Sequence, residues 1–197
     1  MLRVISKALE EKIDNINAGR LPQKEELREV KFCPQGGSCP KNVGSGVVKV
    51  KDRRWEGKWK ISSDLDQLLV FPIVATLQRP DIVIWNEERK IVHLLELTVP
   101  WESNLNAAEE RKEKRYESLI SDCEEQGWTA SHSHLGVGAR GYVDRKLLNL
   151  FRKEMGFTSI EVKQLREQVQ EAAEKASLFI WLKRDDSTWL ENTNMIA

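Results

Sequence analysis

The sequence has no net charge to read: thirty-one lysines and arginines offset thirty-one aspartates and glutamates across 197 residues. A polyanionic partner would have to be met by the distribution of charge, not by its sum. Cysteine is scarce as well. Three cysteines at irregular spacing (Cys33, Cys39 and Cys123) exclude a disulfide framework and point to a reducing compartment. Long apolar runs are missing: LLVFPIVATL at 68–77 falls well short of the ~20 residues that span a bilayer. The opening residues MLRVISKALEEK lack the apolar centre of a signal peptide, so an intracellular protein with no membrane partner is expected. There is no internal repeat. What is present, 40% hydrophobic and 31% charged residues, is the composition of a folded domain with a core of ordinary size.

The segment that organises the chain is RPDIVIWNEERKIVHLLELTVP, residues 79–100. Two runs rich in Val, Ile, Leu and Trp flank the polar connection Asn86-Glu87-Glu88-Arg89, which predicts an antiparallel hairpin. If Trp85 faces Lys90, Asp81 falls opposite Leu94, one diagonal step from Glu96. A tighter turn at Glu88-Arg89 sets Asp81 directly opposite Glu96. Either loop leaves Asp81, Glu96 and Thr98 on one face, because strand side chains alternate with period two. Neighbouring carboxylates repel unless a cation lies between them. The plain alternative is two solvated strand ends, but Glu96 sits in the apolar run LLELTVP and needs a partner. A hard divalent cation on oxygen ligands is the natural one.

After this hairpin comes a helix that Ser103 or Asn104 can cap, with acids in its first turns. Its inward stripe is Leu105, Ala108, Lys112, Tyr116, Leu119 and Cys123, with Lys112 near the centre and Lys114 pointing away. A lysine within a buried stripe needs an anion unless it snorkels to solvent. The helix follows directly from the strand carrying Glu96, which names the anion.

Around this centre the chain divides into an N-terminal helix and flexible linker (1–46), a main domain (47–184) and a C-terminal tail (185–197). Leu2, Ile5, Leu9, Ile13 and Ile16 predict an amphipathic helix closed by Gly19. REVKFC at 28–33 fits an edge strand, and CPQGGSCPKNVGSG at 33–46 a loop. VVKVKDRRWEGKWK at 47–60 places Arg53, Arg54 and Lys58 among tryptophans. That pattern suits a phosphate backbone, or else an exposed hairpin whose tryptophans cap the core. Asp64 leads into a helical turn, LDQLL, and then VFPIVATLQ, the first of three antiparallel strands. WTASHSHLGVGARGYV at 128–143 reads as a strand parallel to the hairpin, with Arg140 among glycines as a phosphate ligand. Two helices follow: one built on Leu147, Leu148, Leu150, Phe151 and Met155 and closed by Gly156. The other opens with a capping box from Thr158 to Glu161 and carries Val162, Leu165, Val169, Ala173 and Ala176. Cys33 and Cys39 with His132 and His134 match no common zinc spacing. They read as free thiols and as two histidines sharing the face of an exposed strand.

The ordered blocks RPD (79–81), ELTVPWE (96–102), ERKEKRY (110–116), GW (127–128), VGARGYV (137–143) and ASLFIWLKR (176–184) resemble the PD-(D/E)XK, or restriction-endonuclease-like, nuclease superfamily. Within it they resemble the nuclease-like domain of retrotransposon-associated reading frames in animals, over roughly residues 54–184. The resemblance implies an α/β fold with an αβββαβ core, a mixed central sheet flanked by helices. It implies an endonuclease that hydrolyses DNA with Mg²⁺ or Mn²⁺ in the nucleus, alone or within a larger element-encoded protein. Asp81 and Glu96 would hold the metal with the Leu97 carbonyl, and Asp64 or Glu56 would serve a second ion. Arg79, Arg140 and the basic segment would hold DNA. The superfamily places a lysine two residues after the second acid, where this chain has Thr98. The resemblance implies that the lysine has moved to the next helix, as Lys112. Two other readings stay open: a nuclease fold that binds DNA without cutting, and a protein-interaction module.

Overall fold

The computed structural model describes residues 1–20, 25–31, 45–51 and 55–185. The chain is an α/β protein with a four-stranded mixed sheet flanked by helices. Helix α1 (Leu2–Asn17) ends at Gly19, whose φ of +66° suits glycine. It buries Ile5, Leu9 and Ile13, the stripe its spacing predicts. Strands β1 (Glu25–Lys31) and β2 (Ser45–Lys51) pair antiparallel as a separate ribbon. Of the edge strand predicted at 28–33, residues 28–31 belong to β1 and the other two lie outside the described residues. Cys33, Cys39, Arg53 and Arg54 lie outside the described residues.

Sheet order is β3 (Lys60–Ser63), β4 (Ile82–Asn86), β5 (Ile91–Thr98) and β6 (Thr129–Gly136). The first two pairings are antiparallel and β5–β6 is parallel. The first strand of the three is not VFPIVATLQ. Asp64 Oδ1 accepts from the Leu69 N–H at 2.9 Å and folds the chain into bends, so LDQLL is not helical either. Pro72 cannot donate to a ladder, and Val70 and Leu77 face solvent. The edge place goes to KISS at 60–63, too short and too polar to stand out in the sequence. Asn17 clasps the approach to it, donating to the Trp59 carbonyl at 2.8 Å and accepting from its N–H at 2.9 Å.

Helix α2 (Leu105–Glu125) crosses from β5 to β6 after a 3₁₀ turn at Glu102–Asn104. Asn104 stands at its N-cap without a side-chain capping bond, and its first turn holds no acid. Helix α3 (Arg145–Asn149) is capped by Asp144, which accepts from Lys146 N–H at 3.0 Å, and runs into a π-helical turn at Leu150–Glu154. Helix α4 (Ser159–Lys183) opens on the expected capping box and buries Leu165, Val169 and Ala173. Among the described residues no helix is long and apolar enough to cross a membrane.

The sheet separates two apolar clusters. Ile82, Ile84, Leu95 and Leu135 pack with α1, α3 and α4 on one face. Val83, Val92 and Leu94 pack with Tyr116, Leu119 and Cys123 of α2 on the other. Period-two alternation therefore assigns Glu96 and Thr98 of β5, and His132 and His134 of β6, to the α2 face.

Candidate functional site

The β4–β5 register pairs Ile82 with Leu95, so one step back Asp81 stands opposite Glu96. This is the tighter of the two turns that the sequence allowed, closed by Glu87–Lys90. The Asn86 side chain accepts from Arg89 N–H at 2.9 Å, and Lys90 adopts φ +50°. The two acids hold one another's backbones. Glu96 Oε2 accepts from Asp81 N–H at 3.2 Å, and Asp81 Oδ2 accepts from Leu97 N–H at 2.7 Å.

Glu96 is 3% exposed, and a carboxylate that deep requires donors. It has three. Lys112 donates to Oε1, Tyr116 OH donates to Oε2 at 2.8 Å, and the Asp81 N–H is the third. Leu105, Ala108, Tyr116, Leu119 and Cys123 are buried and Lys112 half-buried, so the predicted stripe of α2 is the observed one, with the lysine ion-paired. Lys112 does not snorkel away.

Asp81 is left with one backbone donor. Burial, then the charge of Glu96, pushes its carboxyl up to about 6, against the Leu97 N–H, which lowers it. Beyond it the ladder meets Pro80, the residue opposite Leu97 by register. A proline has no N–H to give the Leu97 carbonyl.

Tyr116 is the residue that sequence reasoning placed only as core. It is fully buried, and its hydroxyl also reaches the Arg79 carbonyl at 3.1 Å. Burial first, then the bond to Glu96, raises its pKa, so the hydroxyl keeps its proton. His132 and His134 are the second omission. They do not lie on an exposed strand, because α2 covers β6. His134 is 8% exposed, and His132 stacks on Tyr116 with centroids 5.1 Å apart. Burial holds both rings below the ordinary histidine pKa. The Nε2 atoms of both and Thr98 Oγ1 are buried without a hydrogen-bond partner among the described residues. A burial estimate for the 129–136 strand, crossed on one side by a helix, would have found them.

The other candidates divide by end of the sheet. Asp64 lies beside Asp81, donating its N–H to the Asp81 carbonyl at 2.8 Å, with its carboxylate on Leu69 N–H and on Arg79 at 3.1 Å. Arg140 lies at the same end, past β6. Glu102 accepts from its N–H at 2.8 Å and its Nε at 3.2 Å, and its guanidinium covers the Trp101 ring at 4.8 Å. Lys58 is at the opposite end, by the hairpin turn, where the adjacent Gly57 abuts Asn86 and Glu88. Glu56 is there too, its carbonyl accepting from Asn86. Trp59 is 3% exposed in the core, and the partly buried Trp55 packs against that core and donates to the Glu154 carbonyl at 2.7 Å, so neither ring is an open stacking platform.

Two carboxylates and a backbone carbonyl at one spot are hard oxygen donors of the kind Mg²⁺ and Mn²⁺ prefer. The raised pKa of Asp81 marks a place where added positive charge is favourable. Among the described residues no group of three His, Cys, Asp or Glu side chains forms a cage by itself. A scan of protein-family models finds no match to the chain, and a search of curated proteins finds none. The fold and site together define a mixed-sheet α/β domain with paired carboxylates, a lysine and a tyrosine at one end of the sheet.

Proposed function

We propose that the chain is a metal-dependent, endonuclease-like domain of the PD-(D/E)XK type that hydrolyses phosphodiester bonds in DNA and derives from a transposable element. The observation that carries it is the meeting of Lys112 with Glu96 on the face that holds Asp81. The order α1–β3–β4–β5–α2–β6 supports a restriction-endonuclease-like core within the sheet.

Asp81, Glu96 and the Leu97 carbonyl would hold Mg²⁺ or Mn²⁺. When bound, such an ion offsets phosphate charge and acidifies water. The chain's own groups divide the remaining work. Lys112 brings a positive charge to the scissile phosphate and orients water, a role Thr98 cannot fill. Tyr116 keeps Glu96 aimed while staying protonated. Arg79 and Arg140 present positive charge at this end of the sheet.

A second reading has an observation of its own: both Glu96 oxygens are already engaged. On that reading the site is a closed ion pair and the domain binds DNA without cutting it. Supercoiled plasmid incubated with Mn²⁺ separates the two. Hydrolysis predicts nicking by the wild type, reduced about 100-fold in Lys112→Ala and in Asp81→Asn. Equal nicking by Lys112→Ala removes the lysine's role. No nicking on supercoiled, linear and single-stranded DNA leaves the binding domain.

A further inference from the structure

The loop after β6 is laid along the residues after β5: Val137 N–H donates to the Thr98 carbonyl and Ala139 N–H to the Pro100 carbonyl, both at 3.0 Å. Beside it opens a cleft of about 810 Å³, lined by Glu102, Arg140, Tyr142, Arg145, Arg166 and Gln170 among others. Its wall is firmly seated. Gly141 has φ +89°, and a side chain there would meet Glu174 at 2.8 Å and Gln170 at 2.9 Å on α4. Three arginines face one acid, and that acid, Glu102, is already bonded to Arg140. No described residue forms an ion pair with Arg145 or Arg166. One large ring of the lining is exposed, Tyr142 at 50%, and beside the cleft Trp101 is 55% exposed with one ring face under Arg140. A smaller hollow of about 280 Å³ shares Glu102 and Tyr142 and continues to Leu105 and Asp144. Those two residues abut Gly136, whose Cβ position is 3.2 Å from the His134 ring, the register partner of Glu96.

We infer that this cleft holds a single-stranded flank of the nucleic acid whose phosphodiester reaches the acid pair. The inference rests on the hydrolytic reading and extends it. Unpaired guanidinium groups suit phosphates, and exposed rings take unstacked bases, which a duplex does not offer. Stacking reads no base edge by hydrogen bonds, so sequence preference in the flank is weak. Lys58 and Trp59, at the far end of the sheet, are not part of this path.

The test is fluorescence anisotropy of the full chain with a labelled single-stranded oligonucleotide over a series of salt concentrations, in EDTA. Arg145→Ala/Arg166→Ala should weaken binding about 25-fold at 0.1 M salt and reduce the slope of log K against log salt by about 1.4. Tyr142→Ala should weaken it roughly 5- to 100-fold on single strands and little on duplex of the same length. All three positions are exposed, and circular dichroism confirms the fold of each variant. A double variant that binds with wild-type affinity and slope overturns the inference, as does a wild type that does not bind. If no protein nicks plasmid but the arginines govern binding, the cleft stands and hydrolysis falls. If wild type and double variant nick alike and bind alike, hydrolysis stands and the cleft falls.

Discussion

In a metal-free protein, ionised Asp81 works against the fold. Its carboxyl is raised from 3.8 to about 6, by burial first and by Glu96 second. A carboxyl whose folded pKa exceeds its unfolded value binds more protons when folded, so it favours folding at low pH. That contribution is complete below about 3.8, falls as pH rises and is gone above about 6. A rise of this size corresponds to about 3 kcal/mol. Solvent screening at a half-buried group reduces that to about 2 kcal/mol. Asp81→Asn removes the charge and keeps an oxygen to accept the Leu97 N–H. In EDTA at pH 7.5 the variant should therefore melt roughly 4–8 °C above the wild type. At pH 4, where the folded wild type is already protonated, the two should nearly coincide. Differential scanning calorimetry at both pH values measures this. A variant that melts lower at pH 7.5, or shifts equally at both, refutes the reasoning.

Mn²⁺ at a hundredfold excess over its Kd should stabilise the wild type by about 2.7 kcal/mol, and do nothing for Asp81→Asn or Glu96→Gln; thermal melts with and without the ion decide it. Tyr116→Phe leaves the Arg79 carbonyl and Glu96 Oε2 each short of a donor. It should cost about 1–3 kcal/mol in urea unfolding at pH 7.5. Thr98→Val should shift stability by less than about 1 kcal/mol and leave plasmid nicking intact, because the buried hydroxyl has no partner to lose. Trp59→Ala should destabilise by about 3–5 kcal/mol in the same assay. Lys58→Ala should stay within about 0.5 kcal/mol, which separates the tryptophans' packing role from any contact with DNA.

Periodicity made the acid pair and the lysine legible. Two alternating runs across a short polar turn leave few registers, and every even one sets Asp81, Glu96 and Thr98 on one face. A 100° step per residue puts Lys112 in the α2 stripe without any knowledge of the sheet. Local pattern fails where a neighbour decides the outcome. KISS is a strand because β4 offers it an edge, and VFPIVATLQ is not because Asp64 bends the chain first. His132 and His134 looked exposed because alternation says which face a side chain takes, but not what covers that face. Tyr116 counted as an apolar residue because nothing local shows that its hydroxyl reaches a carboxylate twenty residues earlier.

The division of donors gives the site its chemical character. Two acids on adjacent strands could share the available hydrogen bonds, which would leave a symmetric and passive pair. Here Glu96 receives a lysine, a tyrosine and a backbone N–H, while Asp81 receives one backbone N–H and keeps Oδ1 without a donor among the described residues. The charge on Glu96 is thereby held in place, and it acts on Asp81 as a fixed field. The pair becomes one carboxylate anchored by three donors and one acid raised to about 6 with an oxygen to spare. Groups that serve only stability are seldom arranged this way, because the raised acid weakens the fold whenever it ionises. The proline before Asp81 acts in the same direction, since it ends the ladder where the Leu97 carbonyl would otherwise find a donor. Two oxygens, Asp81 Oδ1 and the Leu97 carbonyl, are kept short of donors beside the anchored Glu96, and a lysine stands next to them. That arrangement costs stability in the metal-free protein, and on the proposed reading a bound cation would restore it.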